Sequence, residues 1–178
     1  MATFTLTYPK LFDRLSNIPI LNEQNEAVCV LQKVERSAIG KALNMTFLVV
    51  SQDALPQRFE TRTMTGEPLF QVQSTFLTKG SSYQLVMQDG TAIPIKRKTV
   101  QLIEFYYTFT MDNFEFRFEK DFTSTAYLYC NDKKIACAST SGDGLIHEGI
   151  IYTLFESDDT LFVALLATLY QSLFAIGN

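Results

Sequence analysis

From Leu161 to Ile176 the chain reads L-F-V-A-L-L-A-T-L-Y-Q-S-L-F-A-I, sixteen positions without a charge. Ser157-Asp158-Asp159 stands before this run and Gly177 follows it. Ser and Asp are favoured helix N-caps, acids suit the positive end of the helix dipole, and glycine suits a stop. The segment therefore reads as a helix within residues 158–176, and Thr160 to Ile176 would extend about 25 Å. Wound as a helix, it has apolar side chains on every side, so it must be buried in lipid or in protein. Sixteen residues fall short of the ~20 that a bilayer span needs. Thr168, Gln171 and Ser172 interrupt the run, and no Lys or Arg flanks it as a membrane anchor usually requires. Burial inside the protein is the expectation, with no transmembrane span; a tail anchor is the alternative. The expected core residues are Leu161, Phe162, Leu165, Leu166, Leu169, Leu173 and Phe174.

A buried rod needs a container, and the rest of the chain supplies a repeated device. Alternating segments flank short polar turns at Asn22–Glu26, Thr65–Pro68, Gln88–Thr91, Asp112-Asn113 and Asn131–Lys134. From Gly66 onward these turns recur every 19 to 24 residues. That period fits strand, turn, strand and connection. Asp89-Gly90 is a strong hairpin signal. Phe114, Phe116 and Phe118 share one strand face while Glu115, Arg117 and Glu119 share the other, the pattern of a sheet with one face solvated. Five hairpins make ten strands. Phe4 and Leu6 between threonines add an N-terminal strand, and Gly149 to Phe155 adds about a twelfth. So many strands favour closure, which removes exposed edges. A barrel of twelve leaves a lumen that something must fill. The fold class is mainly β: a closed antiparallel barrel of about twelve strands around a central hydrophobic C-terminal helix. Residues 1–178 read as one domain, with strands and hairpins over 1–156. Val34 to Asn44 fits either a short helix or a crossing strand, and Gln52 to Gln57 a loop.

Composition agrees. With 15 Phe, 8 Tyr and no Trp, the core is aromatic and β-rich. A chain this long buries about 70% of its unfolded surface and needs no disulfide staples. Cys29, Cys130 and Cys137 are an odd count without framework spacing. With Asp132-Lys133 as the turn centre, Cys130 and Cys137 are diagonal neighbours in poor geometry for a disulfide. Reduced thiols fit a cytoplasmic location. The net charge of −4 argues against a general nucleic-acid binder.

Thr65-Gly66-Glu67-Pro68-Leu69-Phe70, Met87-Gln88-Asp89-Gly90-Thr91, Asn131-Asp132-Lys133-Lys134-Ile135-Ala136 and the helix Asp159 to Phe174 together resemble the tubby C-terminal-like domain superfamily. The likeness is greatest to its compact LURP-one-related branch. The resemblance implies a twelve-stranded barrel around a central helix. It also suggests association with a membrane or a ligand. Tubby itself binds a phosphoinositide through a Lys and Arg cluster, and no position of that cluster is carried over here. The scramblase branch's proline-rich arm and cysteine run are missing from this sequence.

Only Lys96-Arg97-Lys98 runs to three basic residues. With Lys79 it is the candidate contact for an anionic headgroup, each charge adding about 1 kcal/mol near an anionic surface. The plainer alternative is a solvated strand end. Lys133-Lys134 reads as a polar turn, and Tyr83, Tyr106 and Tyr107 as sheet aromatics. His147 is the only histidine. His147-Glu148 lacks the second His of a zinc-protease pattern, since Ile151 stands there. Ser139, Thr140 and Ser141 lack a histidine partner for a triad. Neither catalytic residues nor cofactors are assigned. The leading expectation is a non-enzymatic binding module, cytoplasmic or peripherally membrane-associated, for an anionic membrane lipid or a protein partner. A carrier or sensor of a small apolar ligand is the alternative.

Overall fold

The computed structural model describes residues 1–8, 17–34, 58–75, 82–99, 105–141 and 148–174. The expectations for residues 35–44 and 52–57, for Lys79, for His147 and for the Gly177 stop lie outside these residues. Twelve strands are described: β1 (Ala2–Thr7), β2 (Ile18–Leu21), β3 (Ala27–Lys33), β4 (Phe59–Arg62), β5 (Pro68–Thr75), β6 (Ser82–Met87), β7 (Ala92–Thr99), β8 (Phe105–Met111), β9 (Phe114–Lys120), β10 (Ala126–Cys130), β11 (Lys133–Ser141) and β12 (Gly149–Leu154). Each pairs antiparallel with its neighbours in sequence, and β1 pairs with β12 to close the barrel. The helix α1 (Thr160–Leu173) follows.

The turns explain the register. At Asn22–Glu26, Thr63–Glu67, Met87–Thr91 and Asp121–Thr125 one arrangement recurs. The first residue's carbonyl accepts from the fourth residue's N–H, and the fifth residue's carbonyl accepts from the first residue's N–H. The fourth residue, Asn25, Gly66, Gly90 or Ser124, has positive φ, as a three-residue hairpin loop with a left-handed closing residue requires. Asp112-Asn113 and Asn131-Asp132 are two-residue turns with both φ positive, which Asn and Asp tolerate best after glycine. Two expected turns shift. The β4–β5 turn occupies Thr63–Glu67, and Pro68 opens β5, where a missing N–H is tolerated. The β10–β11 turn centres on Asn131-Asp132. Cys130 therefore faces Lys133, and Cys137 faces Tyr127 across a register shift. The two thiols lie at alternate pleat positions, on opposite faces, rather than as diagonal neighbours. All three cysteines are free.

Helix α1 starts where the Asp159 carboxylate accepts from the Leu161 N–H at 2.9 Å. The Ser157 hydroxyl in turn accepts from the Asp159 N–H at 2.9 Å. Asp159→Ala should lower stability by about 1 kcal/mol, a fall of about 2–4 °C in Tm for a chain of this size. Thermal unfolding followed by circular dichroism checks it.

From Val163 to Leu173 every helical residue is buried. The helix runs closest to one side of the barrel, against β3, β4, β5, β11 and β12. Some core-facing residues of that wall are small, Cys29, Thr61, Ala136 and Ala138, all fully buried, and they sit beside the larger Leu31, Phe59, Phe70 and Tyr152. The far wall carries rings. Phe109 stacks on Phe116 at 5.0 Å, and Phe118 and Tyr107 reach the helix end through Phe174 at 4.9 and 5.6 Å. The small residues leave room for the helix, and rings from both walls fill the rest of the lumen. Two polar contacts fix the helix against sliding. The Thr61 and Thr168 hydroxyls are 2.9 Å apart, and Gln171 Nε2 donates to the Tyr8 hydroxyl at 2.8 Å. Leu165, Leu166, Leu169 and Leu173 are in the core as expected, while Phe162 and Phe174 are half-buried. Leu161 is not a core residue: it is 50% exposed, because continuous burial of the helix begins only at Val163.

Candidate functional site

The pleat divides the basic run of β7. Ile93 and Ile95 point inward and are buried, so Lys96 and Lys98 point outward. Arg97 has the parity of the core residues but lies beyond them, at the barrel rim. Its guanidinium carbon sits 4.0 Å from the centroid of the Phe105 ring, within the range of a cation–π contact. Tyr107 lies opposite Arg97 across the β7–β8 ladder. Burial pushes the Tyr107 hydroxyl up to about 12, with Tyr83 adding to the rise and Arg97 opposing it. Tyr83 meets Tyr107 edge-on at 5.8 Å. Three consecutive cations thus serve two surfaces: two on the outer wall and one over an aromatic rim.

On the outer wall, register assembles what the linear sequence keeps apart. Lys96 pairs with Thr108, Thr108 with Arg117, Arg117 with Tyr129, and Tyr129 with Lys134. One cross-strand row therefore places three cations and a tyrosine on the same face. The neighbouring row contributes Lys98, Tyr106 and Glu119. Pro94, Lys96, Lys98, Tyr106, Thr108 and Arg117 line a groove of about 460 Å³, and Glu115 and Asp132 line it with them. Arg117 lies over the Tyr129 ring at 4.3 Å, and Lys134 Nζ over the Tyr127 ring at 3.8 Å. These contacts hold long side chains against the sheet. Arg117 also meets Glu119 at 3.7 Å and Asp132 at 3.9 Å, half-exposed pairs worth less than about 1 kcal/mol each. Neither Lys96 nor Lys98 has a carboxylate partner among the described residues.

Two ammonium groups and a planar guanidinium around one concavity suit a phosphate or carboxylate. With Glu115 and Asp132 also in the lining, the groove suits a single anionic group better than a dense polyanion. Sequence reasoning does not place Arg117 or Tyr106 at such a site. Part of the signal is there: counting outward from the Asp112-Asn113 turn puts Arg117 opposite Thr108. The pairing of β8 to β7 has no comparable local marker.

Elsewhere the chemistry is quiet. Burial pushes the Cys29 thiol up to about 12 and raises Cys130 and Cys137, the opposite of a reactive thiolate. Among the described residues no cluster of three or more His, Cys, Asp or Glu could hold a metal. No described helix is long and apolar enough to cross a membrane.

A family model described as the Tubby C-terminal like domain matches residues 4–176. A crystal structure of a protein from Arabidopsis thaliana superposes with a TM-score of 0.52 at 12% sequence identity, covering 94% of this chain and 88% of that one. At that identity the likeness concerns the fold. No curated protein matches in sequence.

Proposed function

Because the chain belongs to the tubby C-terminal-like domain family, we propose that it is a binding module whose β7–β9 groove receives an anionic headgroup at a membrane surface. One observation carries this reading: Lys96, Lys98 and Arg117, from two strands separated by β8, converge on a single concavity beside Tyr106. The β-strand scaffold holds them there before any ligand arrives, which lowers the ordering cost of binding. The packed lumen favours binding on the wall over carriage of an apolar ligand inside. Peripheral, reversible attachment from the cytoplasmic side is the corresponding location, where anionic lipids concentrate.

Co-sedimentation with vesicles of phosphatidylcholine and phosphatidylserine tests it. Replacing Lys96, Lys98 and Arg117 together by alanine should weaken binding about a hundredfold, at about 1 kcal/mol per cation. Native binding should fall steeply as salt shortens the Debye length below about 8 Å. Equal sedimentation of the native and triple-alanine proteins would discard the groove as the contact.

A further inference from the structure

Antiparallel closure sorts the connections between two ends of the barrel. The five tight turns β2–β3, β4–β5, β6–β7, β8–β9 and β10–β11 share one end with the entry to α1. That end is acidic, with Glu67, Asp89, Asp112, Asp132, Asp158 and Asp159 all exposed. The opposite end receives the last residues of β3, β7 and β9, and with them Lys33, Lys96, Arg97, Lys98 and Lys120. Glu60, Glu119, Asp121 and Glu148 are the described acids on that half of the barrel.

At this basic end the β9–β10 turn presents Phe122, 90% exposed. The turn holds the ring out on a firm base. The Asp121 carboxylate accepts from the Thr123 N–H and the Thr125 N–H, both at 2.9 Å, and from the Thr123 hydroxyl at 2.7 Å. Desolvation opposes them, but those bonds hold its carboxyl below the usual range. The turn also lies on the groove's side of the barrel: β9 is two strands from β7, about 10 Å.

We propose that the barrel meets an anionic bilayer by this end, with Phe122 inserted below the headgroups and the basic strand ends at headgroup level. This rests on the surface-binding reading above and adds its orientation. Charge complementarity selects the bilayer. An exposed ring two residues from Lys120, at the end that also carries Lys96, Arg97 and Lys98, matches an interface that is apolar beneath and negative above. The turns at Glu67, Asp89 and Asp112 sit about 20 Å away along the strands, beyond two Debye lengths at physiological salt, while Asp132 reaches the groove and is met there by Arg117 at 3.9 Å.

The chain contains no Trp, so one substitution creates a unique reporter. Phe122→Trp should shift its emission to the blue on vesicles of phosphatidylcholine and phosphatidylserine. Lipids carrying a nitroxide on the acyl chain should quench it. Met64→Trp, in the β4–β5 turn at the acidic end, should show neither effect. Phe122→Ala should bind about tenfold more weakly with its unfolding midpoint unchanged. If the native protein fails to sediment with the vesicles, the surface-binding reading falls and the orientation falls with it. If Phe122→Trp sediments while its emission stays unshifted and unquenched, the orientation alone is wrong.

Discussion

Deletion of residues 159–178 should abolish folding rather than release a soluble barrel from an anchor. The helix is most of what the strands close upon. Val163, Leu165, Leu166, Leu169 and Leu173 are each at most 7% exposed. At about 1.5–3 kcal/mol for each buried aliphatic side chain, these residues alone account for roughly 10 kcal/mol. The net stability of a whole domain is only about 5–15 kcal/mol. Removing them would also leave Leu31, Val72, Ala136 and Ala138 facing an empty lumen, and would strip Thr61 of its partner Thr168. The truncated chain should express as aggregate, without near-ultraviolet circular dichroism or a cooperative urea transition. A soluble truncation that unfolds cooperatively would overturn the buried-plug account and return the helix to the membrane question.

Local chemistry makes both the container and the rod legible in the amino-acid sequence. Asp89-Gly90 and Asp112-Asn113 each allow the positive φ that their turns use, so short-range preference and long-range pairing agree there, whereas the last turn uses Asn131-Asp132 in place of the expected Asp132-Lys133. The cap at Asp159 is legible for the same reason: one short side chain bonding to the backbone beside it decides it. Features set by distant contacts are not legible. Leu161 reads as core by its type, yet continuous burial of the helix begins only at Val163. Along β4, Phe59, Glu60 and Thr61 are all buried, which no alternation rule anticipates. The groove is the clearest case. Lys96 and Arg117 stand 21 positions apart, and only the strand register places both beside Thr108. The consecutive triplet Lys96-Arg97-Lys98 invites reading as one patch, and strand alternation separates it.

The seam that closes the barrel gives the sharpest single-residue expectation. Gly149 pairs with Thr7 where β12 meets β1. A Cβ built at Gly149 would stand 2.1 Å from the Leu6 carbonyl oxygen and 3.1 Å from the Thr7 Cα. Both obstacles are backbone, so no rotamer change relieves the overlap. Gly149→Ala must move β1 away from β12 just where Leu6 and Ile150, both buried, face each other across the ladder. Overpacking in a close-packed interior costs about 1–3 kcal/mol, and occasionally more. A rigid backbone clash on the one ladder that joins the first strand to the last belongs at the top of that range. Gly66→Ala is the control. Its Cβ would meet nothing within 4 Å, so only the positive φ of 91° opposes it, a strain of about 1–2 kcal/mol. Urea unfolding of the two variants should therefore rank Gly149→Ala as the more damaging. In hydrogen exchange, protection should fall first for the amides of β1 in Gly149→Ala and stay native there in Gly66→Ala. Equal loss in both variants, or intact β1 protection in Gly149→Ala, would show that the seam has slack that the close approach of Gly149 to Leu6 denies.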